Sequence, residues 1–272
     1  MSDALSLHGR VALITGGGTG LGLAVASSLA RRGAAAVIAS RSPEHLEEGR
    51  RVLAAAGAKV AAHVCDVRDA HAVRRLVREV DETEGGIDIL VNNAAGNFVR
   101  PAEALPEKAF ANVVDIVLNG TFNATRAAGR SMIARGRRGV VLNVVATYAW
   151  TGGPGTIHSA CAKAGVLAMT RTLAVEWARH GIRVVAIAPG PFESKGAADR
   201  LWPSSELEER VKRSIPLKRF ATREEVAEAA AWLVSDAASY VTGECLTMDG
   251  GAWLGRGILG DDEPVPSVRR RR

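Results

Sequence analysis

The sequence predicts an α/β fold in which helices cover both faces of a doubly wound parallel sheet. Short apolar runs alternate with segments of helical periodicity along almost the whole chain of 272 residues, and such strand–helix–strand repeats form parallel sheets. Hydrophobic residues make up 47% of the sequence, and most are Ala, Val and Leu, which suit helices packed on a buried sheet. No linker interrupts this pattern, so residues 1–260 are predicted to form a single domain.

The predicted elements follow one another in regular order, each short apolar run leading into a helical segment. Strands are predicted over residues 10–15, 35–40, 59–64, 87–91, 139–145, 183–188 and 244–248. Helices are predicted over residues 21–32, 44–56, 70–83, 107–134, 157–179, 206–213 and 224–234. Ligands of such sheets bind at the carboxyl ends of the strands, so the residues that follow each strand are the candidate site residues.

The charge is modest once the C-terminal run of arginines is set aside. The net charge is +6, and part of it comes from the arginine run 269–272. A nucleic-acid-binding protein would show a basic face with aromatic side chains between the charges, whereas aromatic residues are only 4% of this sequence. We therefore expect no nucleic acid partner. Residues 261–272 are predicted to be a disordered basic tail or, alternatively, an arm that contacts an anionic ligand or a neighbouring subunit.

Neither a membrane segment nor a metal site is predicted. The longest apolar runs fall well short of the ~18 residues that a membrane span needs, and the first residues lack the basic start of a signal peptide. Cys65, Cys161 and Cys245 are too scattered for a metal motif or a disulfide framework. Cysteines without such a framework suit a reducing compartment, so a cytoplasmic protein is expected.

The first predicted strand leads into a glycine-rich loop. Gly16, Thr19, Gly20, Leu21 and Gly22 fall where the strand gives way to the first helix. Glycine lets the backbone approach a pyrophosphate, which then rests on the free N–H groups of the helix N-terminus. The spacing differs from the general Gly-x-Gly-x-x-Gly fingerprint, and ordinary turns also use glycine. The position between the first strand and the first helix favours a dinucleotide-binding loop.

The ends of the second and third strands indicate which dinucleotide is bound. Ser40 and Arg41 end the second strand, where a carboxylate would bind the ribose of NAD and an arginine would bind the extra phosphate of NADP. No carboxylate stands there, so NADPH is the predicted cofactor; the alternative is that Arg41 is a solvated loop residue. Asp66 and Val67 follow the third strand, where Asp66 is placed to accept a hydrogen bond from the adenine amino group.

Further motifs occur in order along the chain. They are Asn92-Asn93-Ala94-Ala95-Gly96 after the fourth strand, Asn119 in the long helix, Lys163, and Pro189-Gly190-Pro191-Phe192. Together with the glycine loop they resemble the short-chain dehydrogenase/reductase family over about residues 8–254. The resemblance implies a Rossmann-like sheet of about seven strands, a nicotinamide cofactor and a homotetramer. It also implies cofactor contacts by Asn93, Ala94, Lys163, Pro189, Gly190, Pro191 and Phe192.

The central segment departs from the common plan of that family. Most members act through a Ser and a Tyr-x3-Lys pair, in which the ammonium lowers the pKa of a phenol one helical turn away. Here the residue four before Lys163 is Ser159, and the usual serine position holds Ala146. A serine hydroxyl is too weak an acid to replace the phenol, so simple alcohol–ketone interconversion is not expected.

One branch of the family shows the same departure. The segments Asn97-Phe98, Thr147-Tyr148-Ala149 and Ser159-Ala160-x-Ala162-Lys163 resemble the 2,4-dienoyl-CoA reductases. The resemblance implies NADPH-dependent reduction of 2,4-dienoyl-CoA to 3-enoyl-CoA in the β-oxidation of unsaturated fatty acids. Tyr148 corresponds to a catalytic tyrosine of the mitochondrial enzyme, whereas the segment 249–254 is more similar to the peroxisomal enzyme. The subgroup is therefore left open.

The resemblance assigns a role to each polar residue. Hydride addition at the δ carbon would give a dienolate, and Tyr148 and Asn97 would donate hydrogen bonds to its thioester oxygen. Lys163 would bind the nicotinamide ribose, and Ser159 and Asn119 would have supporting catalytic roles. The simpler alternatives are that Tyr148 is a half-buried loop aromatic and that Asn97 forms a turn.

The acyl-CoA substrate carries phosphates, which call for cations. By the same resemblance Arg68, Phe98 and Arg200 match substrate contacts, and residues 192–203 are predicted to form a mobile lid. His158 has no carboxylate partner in its motif and is predicted to be structural. Two other functions stay open: reduction of another enoyl- or ketoacyl thioester, and a scaffold that binds NADPH without catalysis.

Overall fold

A seven-stranded parallel sheet forms the centre of the computed structural model, which describes residues 4–193 and 204–254. The strand order is β3-β2-β1-β4-β5-β6-β7, and every neighbouring pair runs parallel. The strands are β1 (Val11–Thr15), β2 (Ala35–Ser40), β3 (Val60–Val64), β4 (Ile89–Asn92), β5 (Val140–Val144), β6 (Arg183–Pro189) and β7 (Cys245–Met248). The predicted fold class is confirmed, and the order reverses between β1 and β4, where such sheets bind ligands.

Helices connect the strands and cover both faces of the sheet. They are α1 (Gly20–Arg31), α2 (Pro43–Ala55), α3 (Ala70–Thr83), α4 (Glu107–Val114), α5 (Gly120–Ala134), α6 (Tyr148–Thr151), α7 (Ile157–Ala178), α8 (Ser205–Ser214) and α9 (Arg223–Val234). Short 3₁₀ turns lie at Ala102–Ala104 and Asp236–Ala238.

The core has two halves because successive side chains of a strand point to opposite faces of a sheet. In β1, Ile14 packs in the half that includes Val25 of α1 and Val226 of α9. The next residue back, Leu13, packs in the half that includes Val77 of α3 and residues of α5. These buried layers fix the strand ends in space, and the candidate site is built on those ends.

The predicted long helix over residues 107–134 is not continuous. A π-helical turn, Asp115–Asn119, separates α4 from α5, and the side-chain amide of Asn119 donates to Oδ1 of Asp115 at 2.8 Å. Gly120 follows where the helix passes Val67, since a Cβ at Gly120 would lie 2.6 Å from Cγ2 of Val67. The wider π-helical turn adds a residue to one turn of the helix. The spacing of hydrophobic residues in the sequence did not indicate it.

Some predicted features fall outside the described residues. Arg200, nearly all of the predicted lid and the tail over residues 261–272 lie there. The one-turn helix α6 was not predicted, because a glycine-rich loop was expected throughout this stretch.

Candidate active site

A cavity of about 450 Å³ opens at the carboxyl ends of the central strands. It lies between the first turn of α1, the segments after β4 and β5, and the segment after β6. The residues that line it are Leu21, Asn93, Ala95, Asn97, Val99, Val144, Val145, Ala146, Thr147, Tyr148, Gly153, Pro154, Thr156, Lys163, Pro189, Gly190, Pro191 and Phe192. Most of this surface is apolar, and a few polar groups converge on it, as in most small-molecule sites.

The glycine loop turns tightly between β1 and α1. Gly16 and Gly20 have φ angles of +64° and +56°, a region that side chains disfavour. A Cβ at Gly22 would lie 2.2 Å from the carbonyl oxygen of Gly16, so the backbone leaves no room for a larger residue. Thr19 precedes α1 without a side-chain cap, which leaves the first N–H groups of the helix available to an anion. The loop therefore fits the pyrophosphate of a dinucleotide.

Asn93 holds the loop in place from the neighbouring strand. Its side-chain amide donates to the carbonyl oxygens of Thr15 and Gly16, both at 3.1 Å. The hydroxyl of Thr15 in turn accepts from the backbone N–H groups of Asn93 and Ala94, also at 3.1 Å. These bonds join the end of β1 to the end of β4, so the predicted cofactor residues Asn93 and Ala94 have a structural task as well.

The ends of β2 and β3 carry opposite charges. Nη2 of Arg68 lies 2.6 Å from Oδ2 of Asp66, and this bond is the main reason that the pKa of Asp66 is lowered. Arg41 is exposed, and its charge is the last of the causes that lower the pKa of Asp66, but it makes no hydrogen bond or close ion pair within residues 4–193 and 204–254. Arg41 is thus available for an anionic ligand, whereas Arg68 is already paired.

Tyr148 and its neighbours form a hydrogen-bonded group on the cavity wall. The phenol oxygen of Tyr148 lies 3.0 Å from Oγ of Ser159 and 3.4 Å from the side-chain nitrogen of Asn97. Burial raises the pKa of Tyr148, and the bond to Ser159 opposes that shift in part. The phenol is therefore protonated at neutral pH. We call Asn97 and Tyr148 the oxyanion pair after the role that the sequence predicts for them; both line the cavity and carry N–H or O–H donors.

Lys163 reaches the same cavity from α7. Its side chain is buried, and Nζ donates to the carbonyl oxygen of Val144 at 2.5 Å. Burial lowers the pKa of this ammonium to about 8, because the described residues place no carboxylate beside it to favour the charged form. Lys163 therefore holds a desolvated donor at the end of β5, next to the oxyanion pair.

Comparison with known proteins defines the family. The family model described as Enoyl-(Acyl carrier protein) reductase matches residues 16–252. The chain belongs to the short-chain dehydrogenase/reductase family. A crystal structure of a gluconate 5-dehydrogenase from Burkholderia cenocepacia J2315 in complex with NADP and tartrate is 34% identical, with a TM-score of 0.88, and the match covers 93% of this chain and 98% of that one.

Two curated relatives place this short-chain reductase in the dienoyl-CoA reductase branch. A probable 2,4-dienoyl-CoA reductase [(2E)-enoyl-CoA-producing] from Bacillus subtilis is 47% identical, and the match covers 90% of this chain and 97% of the relative. The peroxisomal 2,4-dienoyl-CoA reductase [(3E)-enoyl-CoA-producing] of Pongo abelii is 43% identical, with 91% and 85% covered. The two names differ in the position of the product double bond.

The reductase brings together many of the residues predicted for its site. Besides the oxyanion pair and Lys163, the cavity wall includes Leu21, Asn93, Pro189, Gly190, Pro191 and Phe192. Ser159 does not line the cavity but is a hydrogen-bond partner of Tyr148. Gly16, Thr19, Gly20, Gly22, Ser40 and Arg41 lie nearby on the loop after β1 and at the end of β2.

Other predicted residues are not brought to the cavity. Asn119 is exposed beside Asp115, Arg68 pairs with Asp66, and Phe98 stacks against His158. Val67 packs against Gly120. The predicted roles of these side chains in catalysis or in binding acyl-CoA gain no support from their positions.

Several cavity residues were missed at the sequence level. Val99, Gly153, Pro154 and Thr156 form the wall beyond the oxyanion pair. The backbone N–H of Arg100 donates to the carbonyl oxygen of Gly155 at 2.8 Å, which joins the two loops of this wall. The Gly-Gly-Pro-Gly turn soon after Tyr148 was the available signal, because it brings the chain back towards the segment after β4.

Within residues 4–193 and 204–254, no helix is long and apolar enough to cross a membrane. The same residues hold no cluster of three or more His, Cys, Asp or Glu that could bind a metal ion.

Proposed function

We propose that the protein is an NADPH-dependent 2,4-dienoyl-CoA reductase that produces 3-enoyl-CoA. The observation that carries this proposal is the oxyanion pair, which lies on the cavity wall beside Lys163 without the usual Tyr four residues before that lysine. The names of the relatives support the substrate class. Reduction of a conjugated dienoyl thioester needs hydrogen-bond donors for the thioester oxygen but no phenolate base. The chain has two such donors and lacks the tyrosine that would act as the base.

The residues around the glycine loop fit a nicotinamide dinucleotide, which supplies a hydride when bound. The tight loop and the uncapped start of α1 would hold its pyrophosphate, Lys163 would bind the nicotinamide ribose, and Arg41 would pair with the 2′-phosphate of NADPH. A relative of the same fold has NADP in its crystal structure, which supports the choice of cofactor.

The oxyanion pair would stabilise the charge that develops on the thioester oxygen. Hydride addition at the δ carbon moves an electron pair through the diene to that oxygen, and the protonated phenol of Tyr148 can donate to it. The NH₂ group of Asn97 has two N–H donors, and its one contact among the described residues is the long one of 3.4 Å to Tyr148, so it can also donate to the same oxygen. A proton from water at the α carbon then completes the 3-enoyl thioester.

Turnover of trans,trans-2,4-hexadienoyl-CoA tests the reaction. The purified protein is expected to oxidise NADPH only when this substrate is present, which the loss of NADPH absorbance measures. Chromatography of the product is expected to show 3-hexenoyl-CoA. The 2-enoyl isomer would instead indicate protonation at the γ carbon, in line with the name of the Bacillus subtilis relative. No turnover on this or longer dienoyl-CoAs, despite NADPH binding, would refute the proposal.

Arg41 is expected to decide the preference for NADPH over NADH. Losing a charged hydrogen bond costs about 1.5–3 kcal/mol, so Arg41→Ala should lower kcat/KM for NADPH by about 10–100-fold and leave that for NADH unchanged. Arg68→Ala is the matched control, because Arg68 ends the neighbouring strand but pairs with Asp66. Equal losses with both cofactors would show that Arg41 does not contact the extra phosphate.

A reductase of another enoyl thioester is the second candidate, and the description of the matching family model favours it. The same assay with crotonyl- and acetoacetyl-thioesters of CoA and acyl carrier protein separates the two. A scaffold without catalysis would bind NADPH and turn over none of these, but a well-formed site with a desolvated lysine and two donors argues against loss of activity.

We also propose that the protein is a homotetramer located in the cytoplasm. A homotetramer is supported by exposed apolar side chains on two helices, namely Phe122 on α5 and Val175 on α7, since subunit contacts cover such side chains. A cytoplasmic location is supported by Cys65, Cys161 and Cys245, which form no disulfide with one another.

A further inference from the structure

His158 is a buried polar side chain for which the proposed reaction has no use. It is the second residue of α7 and is fully buried. Neither ring nitrogen makes a well-aligned hydrogen bond with the described residues. Burying such groups without hydrogen bonds costs about 1–3 kcal/mol, so a residue that is only a core filler would be better replaced by an apolar one.

The ring of His158 stacks on the ring of Phe98. Their centroids are 4.3 Å apart and their planes differ by 20°, a stacked arrangement. Burial lowers the pKa of His158, and the backbone of Phe98 opposes that shift in part. A neutral imidazole stacked on a phenyl ring can contribute about 0.5–1.5 kcal/mol beyond its area burial, and Phe98 is anchored to α7 by it.

Phe98 is linked directly to the oxyanion pair. Its backbone N–H donates to Oδ1 of Asn97 at 2.9 Å. This bond fixes the amide plane of Asn97 and leaves its NH₂ group facing the phenol oxygen of Tyr148. The position of Asn97 therefore depends on where the backbone of Phe98 is held.

Two neighbouring residues of α7 thus reach the two members of the oxyanion pair. Ser159 contacts Tyr148 directly, and His158 contacts the residue that orients Asn97. We propose that His158 is a positioning residue, which holds Asn97 at Tyr148 by stacking on Phe98. The effect of His158 on kcat depends on the proposed function, whereas its effect on the positions of Asn97 and Tyr148 does not. The sequence-based role of Phe98 as a substrate contact is replaced here by a role as an anchor.

Three variants at the proposed positioning residue and its neighbour test the catalytic consequence. His158→Ala removes the stacked ring and is expected to lower kcat about tenfold. A misplacement of a catalytic group by 1 Å can cost about 100-fold, and we expect a smaller displacement of Asn97 because its own bonds remain. His158→Phe keeps the stacking and is expected to retain kcat within about twofold. Ile157→Ala, an exposed residue of the same helical turn, is the matched control. The dissociation constant of NADPH should be unchanged in all three.

A double-mutant cycle shows whether His158 acts through Asn97. Asn97→Ala removes one oxyanion donor and is expected to lower kcat by about 100-fold. Adding His158→Ala to this variant should then have no further effect on kcat. Losses that multiply would show that His158 acts independently of Asn97 and would overturn the inference. So would full activity of His158→Ala, or a loss in His158→Phe as large as in His158→Ala.

A readout that does not depend on turnover separates this inference from the proposed function. The chain has 2 tyrosines, and Tyr240 is fully exposed. With ¹³C at the tyrosine Cζ, NMR should show one resonance for each, assigned with Tyr148→Phe. His158→Ala should shift the Tyr148 resonance, while His158→Phe leaves it in place and Tyr240 serves as the internal reference. If the Tyr148 resonance shifts but the protein does not turn over dienoyl-CoA, the positioning role of His158 is supported and the proposed function is refuted. If the resonance does not move, only the positioning role is refuted.

Discussion

Tyr148→Phe is expected to lower kcat for dienoyl-CoA reduction by about 100-fold or more, the usual cost of removing one oxyanion donor. Burial raises the pKa of Tyr148, so the wild-type phenol keeps its proton at neutral pH and can donate it in a hydrogen bond. Phenylalanine keeps the ring and its packing but has no donor. The affinity for NADPH should be retained, because the phenol is not among the groups proposed to hold the cofactor. Steady-state kinetics and a binding titration measure both quantities.

The other tyrosine of the chain provides the control for this experiment. Tyr240 is fully exposed, so Tyr240→Phe removes the same oxygen without touching the cavity and should leave kcat unchanged. Ser159→Ala should have a smaller effect than Tyr148→Phe, because it removes only the hydrogen bond that orients the phenol. If Tyr148→Phe keeps wild-type turnover, the dienolate is stabilised by other groups and the proposed mechanism is wrong.

The fold could be predicted from sequence because its determinants are local. Each strand is a short apolar run, and β1 and β2 match their predicted spans to within a residue. Because the strands are parallel and joined by helices, their carboxyl ends all lie at the same edge of the sheet. The break between α4 and α5 was not predictable in the same way. The π-helical turn there depends on a bond between Asp115 and Asn119 and on close packing against Val67, which are features of tertiary structure.

The same distinction separates the predicted site residues that line the cavity from those that do not. Asn97 and Tyr148 follow strand ends, and Lys163 lies in the second turn of α7, so the topology brings all three to the cavity. Asn119 ends the π-helical turn, where it is exposed and donates to Asp115. Arg68 follows a strand, but its guanidinium pairs with the carboxylate of Asp66 two residues earlier, and it does not line the cavity.

Gly22→Ala is expected to remove most of the affinity for NADPH. The added Cβ would lie 2.2 Å from the carbonyl oxygen of Gly16 and 2.6 Å from the side-chain nitrogen of Asn93. Backbone cannot move aside as a flexible side chain can, so the loop must shift from the conformation that fits a pyrophosphate. Overpacking typically costs about 1–3 kcal/mol, which corresponds to about 5–150-fold in the dissociation constant. A titration of NADPH fluorescence measures this change.

Gly57→Ala separates loss of affinity from loss of stability. Gly57 has a φ angle of +78°, and a Cβ added there would meet nothing within 4 Å; it lies in a turn between α2 and β3. Alanine there should lower the free energy of unfolding by about 1–2 kcal/mol through backbone strain without changing NADPH affinity. Gly22→Ala that is folded by circular dichroism but binds NADPH weakly would assign the pyrophosphate to this loop. Wild-type affinity in Gly22→Ala would place the cofactor elsewhere, and the roles proposed for Arg41 and Lys163 would fall with it.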